Sequence, residues 1–153
     1  MKNLLGRLLY KVGYAVYYLK WFITRPNTQG VQIILRNGDS ILLIQHTYMH
    51  RGLWDFPGGG VKENENPIDA ARRETEEELK LELSELKNVG VVNVYHSYHH
   101  DTVSVFVGHS DSKEIIFNRV EIKKTEWFPI SNLPPNLSVL TKEVLDTYLK
   151  SLR

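Results

Sequence analysis

Cysteine is missing from this 153-residue chain, which excludes disulfide frameworks, zinc–thiolate sites, iron–sulfur clusters and cysteine nucleophiles. Any metal must sit on oxygen or imidazole. A long apolar run is missing too. The longest uncharged stretch near the N-terminus, residues 12–19, is bounded by Lys11 and Lys20, far short of the roughly 20 apolar residues of a membrane-spanning helix. No small-residue cleavage site follows Ile23, so a secretory signal is not expected and the protein reads as cytoplasmic. Strong net charge is likewise absent: 19 basic and 18 acidic residues leave a formal +1, giving no global preference for nucleic acid or membrane, and DNA binding is not expected. With 42% hydrophobic and 24% charged residues the chain is neither disordered nor of low complexity, and its length suits one catalytic domain.

The charges are unevenly placed. No acid occurs before Asp39, while Lys2, Arg7, Lys11, Lys20, Arg25 and Arg36 are basic. Nine of the 18 acids fall between Lys62 and Glu85. Residues 1–27 read as an amphipathic helical extension. Leu4, Leu8, Val12, Ala15, Leu19 and Phe22 form an apolar stripe, Arg7, Lys11, Tyr14, Tyr18, Trp21 and Arg25 a basic and aromatic one, and Pro26 ends the helix. Two roles fit it: docking on the domain, or peripheral contact with an anionic membrane.

Residues 28–153 form the domain. Gly30 to Arg36 and Ser40 to Gln45 read as a hairpin about Asn37-Gly38, the pair best suited to positive φ in a tight turn. A turn-rich stretch from His46 to Gly60 follows. Asn66-Pro67 supplies a capping residue and a first-turn proline for a helix through about Leu79. Val89 to Tyr95, Thr102 to Gly108 and Val120 to Phe128 have strand composition, and Val139 to Leu152 carries a helical stripe of Leu140, Val144, Leu145, Tyr148 and Leu152. The fold class is α+β.

On the acidic helix Glu74, Glu77 and Glu78 stand at i, i+3 and i+4, three carboxylates on one face. Ile68, Ala71, Thr75 and Leu79 anchor the opposite face, so the glutamates point elsewhere. Like charges this close repel unless a cation lies between them, and oxygen ligands favour Mg²⁺ or Mn²⁺. A solvated acidic helix is the alternative that spacing alone leaves open.

The surrounding residues read Gly59, five residues, Glu65, seven residues, then Arg73-Glu74-Thr75-Glu76-Glu77-Glu78-Leu79-Lys80-Leu81, preceded by Trp54-Asp55-Phe56-Pro57-Gly58. This resembles the Nudix box, G-x5-E-x7-R-E-U-x-E-E-x-G-U with U a bulky aliphatic residue, matching every charged position. Thr75 stands at an aliphatic position and Lys80 at the glycine, which puts in question the backbone geometry after the helix. The resemblance implies an α/β/α sandwich with a mixed sheet and a metal-dependent hydrolase that cleaves a nucleoside diphosphate linked to another moiety. It further implies metal binding by Glu74, Glu77, Glu78 and the carbonyl of Gly58, with Glu65 and Arg73 bracing the loop–helix motif around Gly59. The general base in such proteins lies on the box helix or outside it. Glu74 and Glu121 are the two candidates here, Glu121 because Glu-Ile-Lys-Lys-Thr-Glu-Trp-Phe-Pro is similar to a late segment that supplies an extra glutamate in some relatives; a solvated surface glutamate is the alternative. His96, His99, His100 and Asp101 could also reach the site.

Substrate choice in this fold lies outside the box. Tyr98 resembles the downstream tyrosine of dinucleoside polyphosphate hydrolases, whereas Ser97 stands where ADP-ribose pyrophosphatases carry proline, and no coenzyme A-type motif occurs upstream. A nucleotide or dinucleoside polyphosphate is therefore favoured. His46, Tyr48, His50, Arg51 and Trp54 are candidates to stack a base or bind phosphate, against the alternative of a solvated loop. A non-catalytic module that binds a nucleotide or RNA, and a membrane-peripheral hydrolase, are the competing functional classes.

Overall fold

The computed structural model describes residues 12, 13, 16, 27–49, 52–95 and 100–153. Val12, Gly13 and Val16 are helical and both valines are exposed; the other members of the two N-terminal stripes lie outside the described residues. From residue 27 onward six strands and two helices follow: β1 (Asn27–Asn37), β2 (Ser40–His46), β3 (Gly58–Gly60), α1 (Pro67–Leu79), β4 (Leu86–Tyr95), β5 (His100–His109), β6 (Ile122–Pro129) and α2 (Val139–Ser151). Among the described residues no helix is long and apolar enough to cross a membrane.

Alternation along the central strands builds the two layers. Val31, Ile33 and Leu35 of β1, with Leu42 and Ile44 of β2, face one side and pack with Ala70, Ala71 and Leu79 of α1. Ile34, Ile41 and Leu43 face the other side and pack with Val92, Val103, Val105 and with Val144 and Tyr148 of α2. The period of two thus buries both faces of the sheet, and the expected α/β/α sandwich is what forms. Strand order is β4-β5-β1-β2-β6, with β3 also on β1. The sheet is mixed because β1 and β5 run parallel, while the other pairs are antiparallel.

One irregularity positions the site. β1 and β2 pair only beside their turn, at Arg36↔Ile41 and Asn37↔Ser40. Further along, the segment after residue 54 enters between them. Asp55 exchanges two backbone hydrogen bonds of 2.9 Å with Ile44, Ile33 donates to the Pro57 carbonyl at 2.8 Å, and β3 pairs with Gly30, Val31 and Gln32. The turn-rich stretch therefore contains a strand that its three glycines gave no side-chain pattern to announce.

Three local expectations change. Gly38 and Asp39, not Asn37 and Gly38, form the hairpin loop. Gly38 has φ +56° and Asn37 already pairs with Ser40, as in a turn with glycine at its first central position. Asn66 occupies the helix N-cap with extended backbone, but its side chain makes no cap hydrogen bond. Its carbonyl accepts from Asp69 and Ala70 at 3.0 Å each. Leu152 lies past the end of α2 and is 61% exposed, so the apolar stripe of that helix ends sooner than its periodicity suggests.

Candidate active site

Two of the three glycines of β3, Gly58 and Gly59, lie where no side chain fits. A Cβ at Gly58, whose φ is +151°, would sit 2.1 Å from the Val31 carbonyl oxygen. One at Gly59 would sit 2.5 Å from the Glu74 carboxyl carbon. Bare backbone thus brings the strand against α1, so that the Gly58 N–H donates to Glu78 Oε2 at 3.0 Å.

Glu65 and Arg73 form the brace. Arg73 Nε and Nη2 donate to the two Glu65 oxygens at 2.8 and 2.9 Å, Nη2 also to the Gly60 carbonyl at 2.9 Å, and the Lys62 N–H to Glu65 at 2.8 Å. This fork-on-carboxylate geometry ties the loop to the helix. The Arg73 hydrogen bond, helped by the Lys62 N–H, lowers the Glu65 carboxyl from 4.5 to about 2. Arg73 is in turn held protonated, chiefly by its bond to Glu65.

The helix glutamates are less alike than their spacing suggests. Glu77 is exposed, with 54% of its side chain open, 3.5 Å from Arg73 Nη1. Glu74 accepts from Arg73 Nη1 at 2.6 Å and is held above its ordinary range by burial, opposed by Arg73 and reinforced by Glu77 and Glu121. Glu78 does not point away from the core as expected: it is 2% exposed. Burial raises its carboxyl well above the usual range, the Gly58 N–H partly offsets this, and Glu74, Glu121 and Glu77 raise it further. Glu121 belongs to the same electrostatic neighbourhood although 43 residues separate it from Glu78. It lies in the turn one residue before β6, outside the strand although the expected strand, Val120 to Phe128, included it, and its Oε1 accepts from Asn118 Nδ2 at 2.8 Å.

Four carboxylates that sense one another, one of them buried, suit a hard divalent cation held by oxygen. With Glu74 turned onto Arg73, no three Asp, Glu or His side chains among the described residues stand close enough together to hold a metal as they are.

The departures from the box are accommodated. Thr75 is fully buried and returns its hydroxyl to the Ala71 carbonyl at 2.7 Å. Lys80 takes the left-handed conformation of the missing glycine, φ 53° and ψ 34°, and its Nζ donates to the Glu77 carbonyl at 3.1 Å.

The other candidates divide. Trp54 is a core residue, 5% exposed, edge-on to Phe128 at 4.9 Å and capped by Lys124 Nζ 5.2 Å from its ring. Such burial gives its ring a packing role in place of the expected base stacking. His46 ends β2, buried, with its ring 5.4 Å from Tyr48. Thr47 between them donates its N–H to the Glu121 carbonyl at 2.8 Å, which puts this pair beside the glutamate turn. Asp101 accepts from the Thr28 hydroxyl at the start of the parallel pair, and His100 pairs with Asn27 there. His50, Arg51, His96, Ser97, Tyr98 and His99 lie outside the described residues. Asn118 escaped the sequence reading, since a lone asparagine in a loop carries no spacing signal.

A NUDIX domain model matches residues 26–148. The chain belongs to the Nudix family. Its relatives include an RNA pyrophosphohydrolase of Bartonella bacilliformis, 31% identical over 115 residues that cover 70% of this chain and 62% of that protein. An NAD-capped RNA hydrolase NudC of Pseudomonas syringae is 27% identical over 120 residues, 76% of this chain and 42% of that protein. The chain thus spans less than two thirds of the length of either. Among solved structures, a MutT NUDIX hydrolase from Burkholderia pseudomallei superposes with TM-score 0.73 and 27% identity over 80% of this chain and 98% of the other. In this Nudix domain the box runs from Gly59 to Leu81, and Arg73 of the brace shares one helix with the glutamate face while Glu65 lies in the loop before it.

Proposed function

We propose that the protein is a divalent-cation-dependent pyrophosphohydrolase that cleaves a pyrophosphate bond in a nucleotide-type substrate by attack of water on phosphorus. The observation that carries this is Glu78: a buried carboxylate beside Glu74, Glu77 and Glu121, offset by the Gly58 N–H, is costly to maintain unless a cation completes it. Bound Mg²⁺ or Mn²⁺ supplies neutralisation of phosphate oxygens and a water of lowered pKa.

Glu74, Glu77, Glu78 and the Gly58 carbonyl are the groups to hold it. Glu74 must then exchange Arg73 for the cation, and Arg73 keeps its two bonds to Glu65 while doing so. Glu121 or Glu74 takes the proton of the attacking water. Positioning and charge account for the chemistry, with no covalent intermediate.

The relatives named as RNA hydrolases support extending the substrate class from free nucleotides and dinucleoside polyphosphates to a nucleotide at an RNA 5′ end, with the half-buried Tyr48 beside the glutamate turn as a base contact and the buried His46 packed behind it. The test is cleavage with and without Mg²⁺, read as phosphate or pyrophosphate release from nucleoside triphosphates and 5′-triphosphorylated RNA, and as mononucleotide release, followed by chromatography, from dinucleoside polyphosphates and NAD-capped RNA. Release from at least one, abolished by chelation, is expected; Mg²⁺-independent release, or none from any, removes the proposal.

A further inference from the structure

The glutamates of the site come from two distant places, α1 and the turn before β6, and one residue joins them, through its backbone on one side and its side chain on the other. The Asn118 N–H donates at 2.8 Å to the Glu78 carbonyl, one of the last carbonyls of α1 that the helix itself leaves unsatisfied. The Asn118 carbonyl accepts from Glu121 and Ile122 at 3.2 and 2.8 Å. Its Oδ1 accepts from the Val120 N–H at 3.1 Å, which fixes the amide orientation and directs Nδ2 onto Glu121 Oε1 at 2.8 Å. On the far side of the turn, Thr47 donates its N–H to the Glu121 carbonyl at 2.8 Å and its hydroxyl to the Val120 carbonyl at 2.6 Å. Residues 118–121 are thereby held between the end of α1 and the end of β2.

We propose that Asn118 is a positioning residue: its backbone sets the glutamate turn against α1 at Glu78, and its side-chain amide sets the Glu121 carboxylate toward the glutamate face. The proposal rests on the reading of Glu121 as part of the site. A carboxylate with one oxygen fixed by a rigid donor loses most of its rotational freedom, and loss of such supporting partners costs about 10- to 100-fold in activity or metal affinity.

Asn118→Asp separates support from folding. It keeps an acceptor for the Val120 N–H and loses the donor to Glu121, whereas Asn118→Ala loses both. Asn118→Asp, Asn118→Ala, Glu121→Gln and the Asn118→Asp/Glu121→Gln double variant are compared by Mn²⁺ titration followed by electron paramagnetic resonance. Steady-state rates are measured on whichever of 5′-triphosphorylated RNA, nucleoside triphosphate or dinucleoside polyphosphate is cleaved fastest, and melting temperature is read in parallel. The expected result for Asn118→Asp is a melting temperature near that of the wild type. Its kcat or Mn²⁺ affinity falls about 10- to 100-fold with KM little changed, and there is little further loss in the double variant. Retention of both quantities by Asn118→Asp, or losses that simply multiply in the double variant, overturns the proposal. So does a collapse of melting temperature in both single Asn118 variants. An impaired Glu121→Gln beside an unimpaired Asn118→Asp removes this inference alone, whereas an unimpaired Glu121→Gln removes the place of Glu121 in the site and this inference with it.

Discussion

Glu65 just before α1 and Glu78 in its last turn meet opposite fates. Glu65 receives both prongs of Arg73 and the Lys62 N–H, and its acidity increases. Glu78 is buried with the Gly58 N–H upon it and three carboxylates nearby, and its acidity decreases. At one end charge is satisfied within the chain, so it holds structure together. At the other it is left to repel, which is the ground on which we propose it as a cation ligand. Both are glutamates; the difference is made by burial, which dominates at Glu78, and by Arg73, which lies on Glu65.

The largest effect separates the two ends by activity. Glu78→Gln should lower turnover by about two to four orders of magnitude, the scale of a lost metal-held electrostatic contribution. Its cation-free melting temperature near pH 8 should equal or exceed that of the wild type, because an amide still accepts from Gly58 without a buried charge. Near wild-type turnover at saturating Mg²⁺ would break the comparison at its functional end.

Titration separates them next. With the folded pKa of Glu78 raised, the folded state binds more protons, so cation-free stability falls as pH rises from the unfolded value of about 4.5 through the folded one. Saturating Mg²⁺ should therefore raise the melting temperature by about 5–10 °C near pH 8, and by clearly less near pH 5. An equal shift at both values in scanning fluorimetry would exclude Glu78 from cation binding.

Glu65 has the opposite sign. Its folded pKa is lowered, so its contribution is present above the unfolded value and is lost as pH falls from 4.5 through about 2. Glu65→Gln should flatten the acid limb of the stability profile while leaving the Mg²⁺ shift in place. An unaltered acid limb would mean that the brace contributes nothing.

The smallest effect concerns the helix end beside Glu78. Lys80 holds a left-handed conformation that costs a side chain about 1–2 kcal/mol. Lys80→Gly relieves it at the expense of unfolded-state entropy and of the contact to the Glu77 carbonyl. A gain of about 1–4 °C with unchanged turnover is expected; a loss would show that the lysine contact outweighs the strain.

Much of this was legible in the residues. Pro67 and the apolar spacing placed α1 from start to finish, and the i, i+3, i+4 glutamates placed a charged face on it, because both follow from one helical period. What failed to show depends on partners far along the chain. Glu78 is buried with the Gly58 N–H on its carboxyl and the Asn118 N–H on its backbone carbonyl, and Trp54 is a core residue whose edge Phe128 meets. An aromatic residue beside a glycine run reads the same whether it stacks on a base or on a phenylalanine. β3 was invisible because a strand of three glycines has no alternation to read, only neighbours that exclude a Cβ at Gly58 and Gly59.

The parallel pairing of β1 with β5 also bears on how the chain reaches this state. Gly30 lies opposite Val103, so a loop of some 70 residues must close before that ladder forms, at an entropic cost that local contacts do not bear. The whole of β3 and α1 lies inside that loop, and β3 lies along the same three residues of β1 that β5 covers from the other side. The β1–β2 hairpin and α1 are local and are expected to form early, whereas the joining of Glu121 to Glu78 is long-range and is expected to come late. Stopped-flow refolding should accordingly recover helical circular dichroism before it recovers Mn²⁺ binding: the chain acquires its shape before it acquires its chemistry.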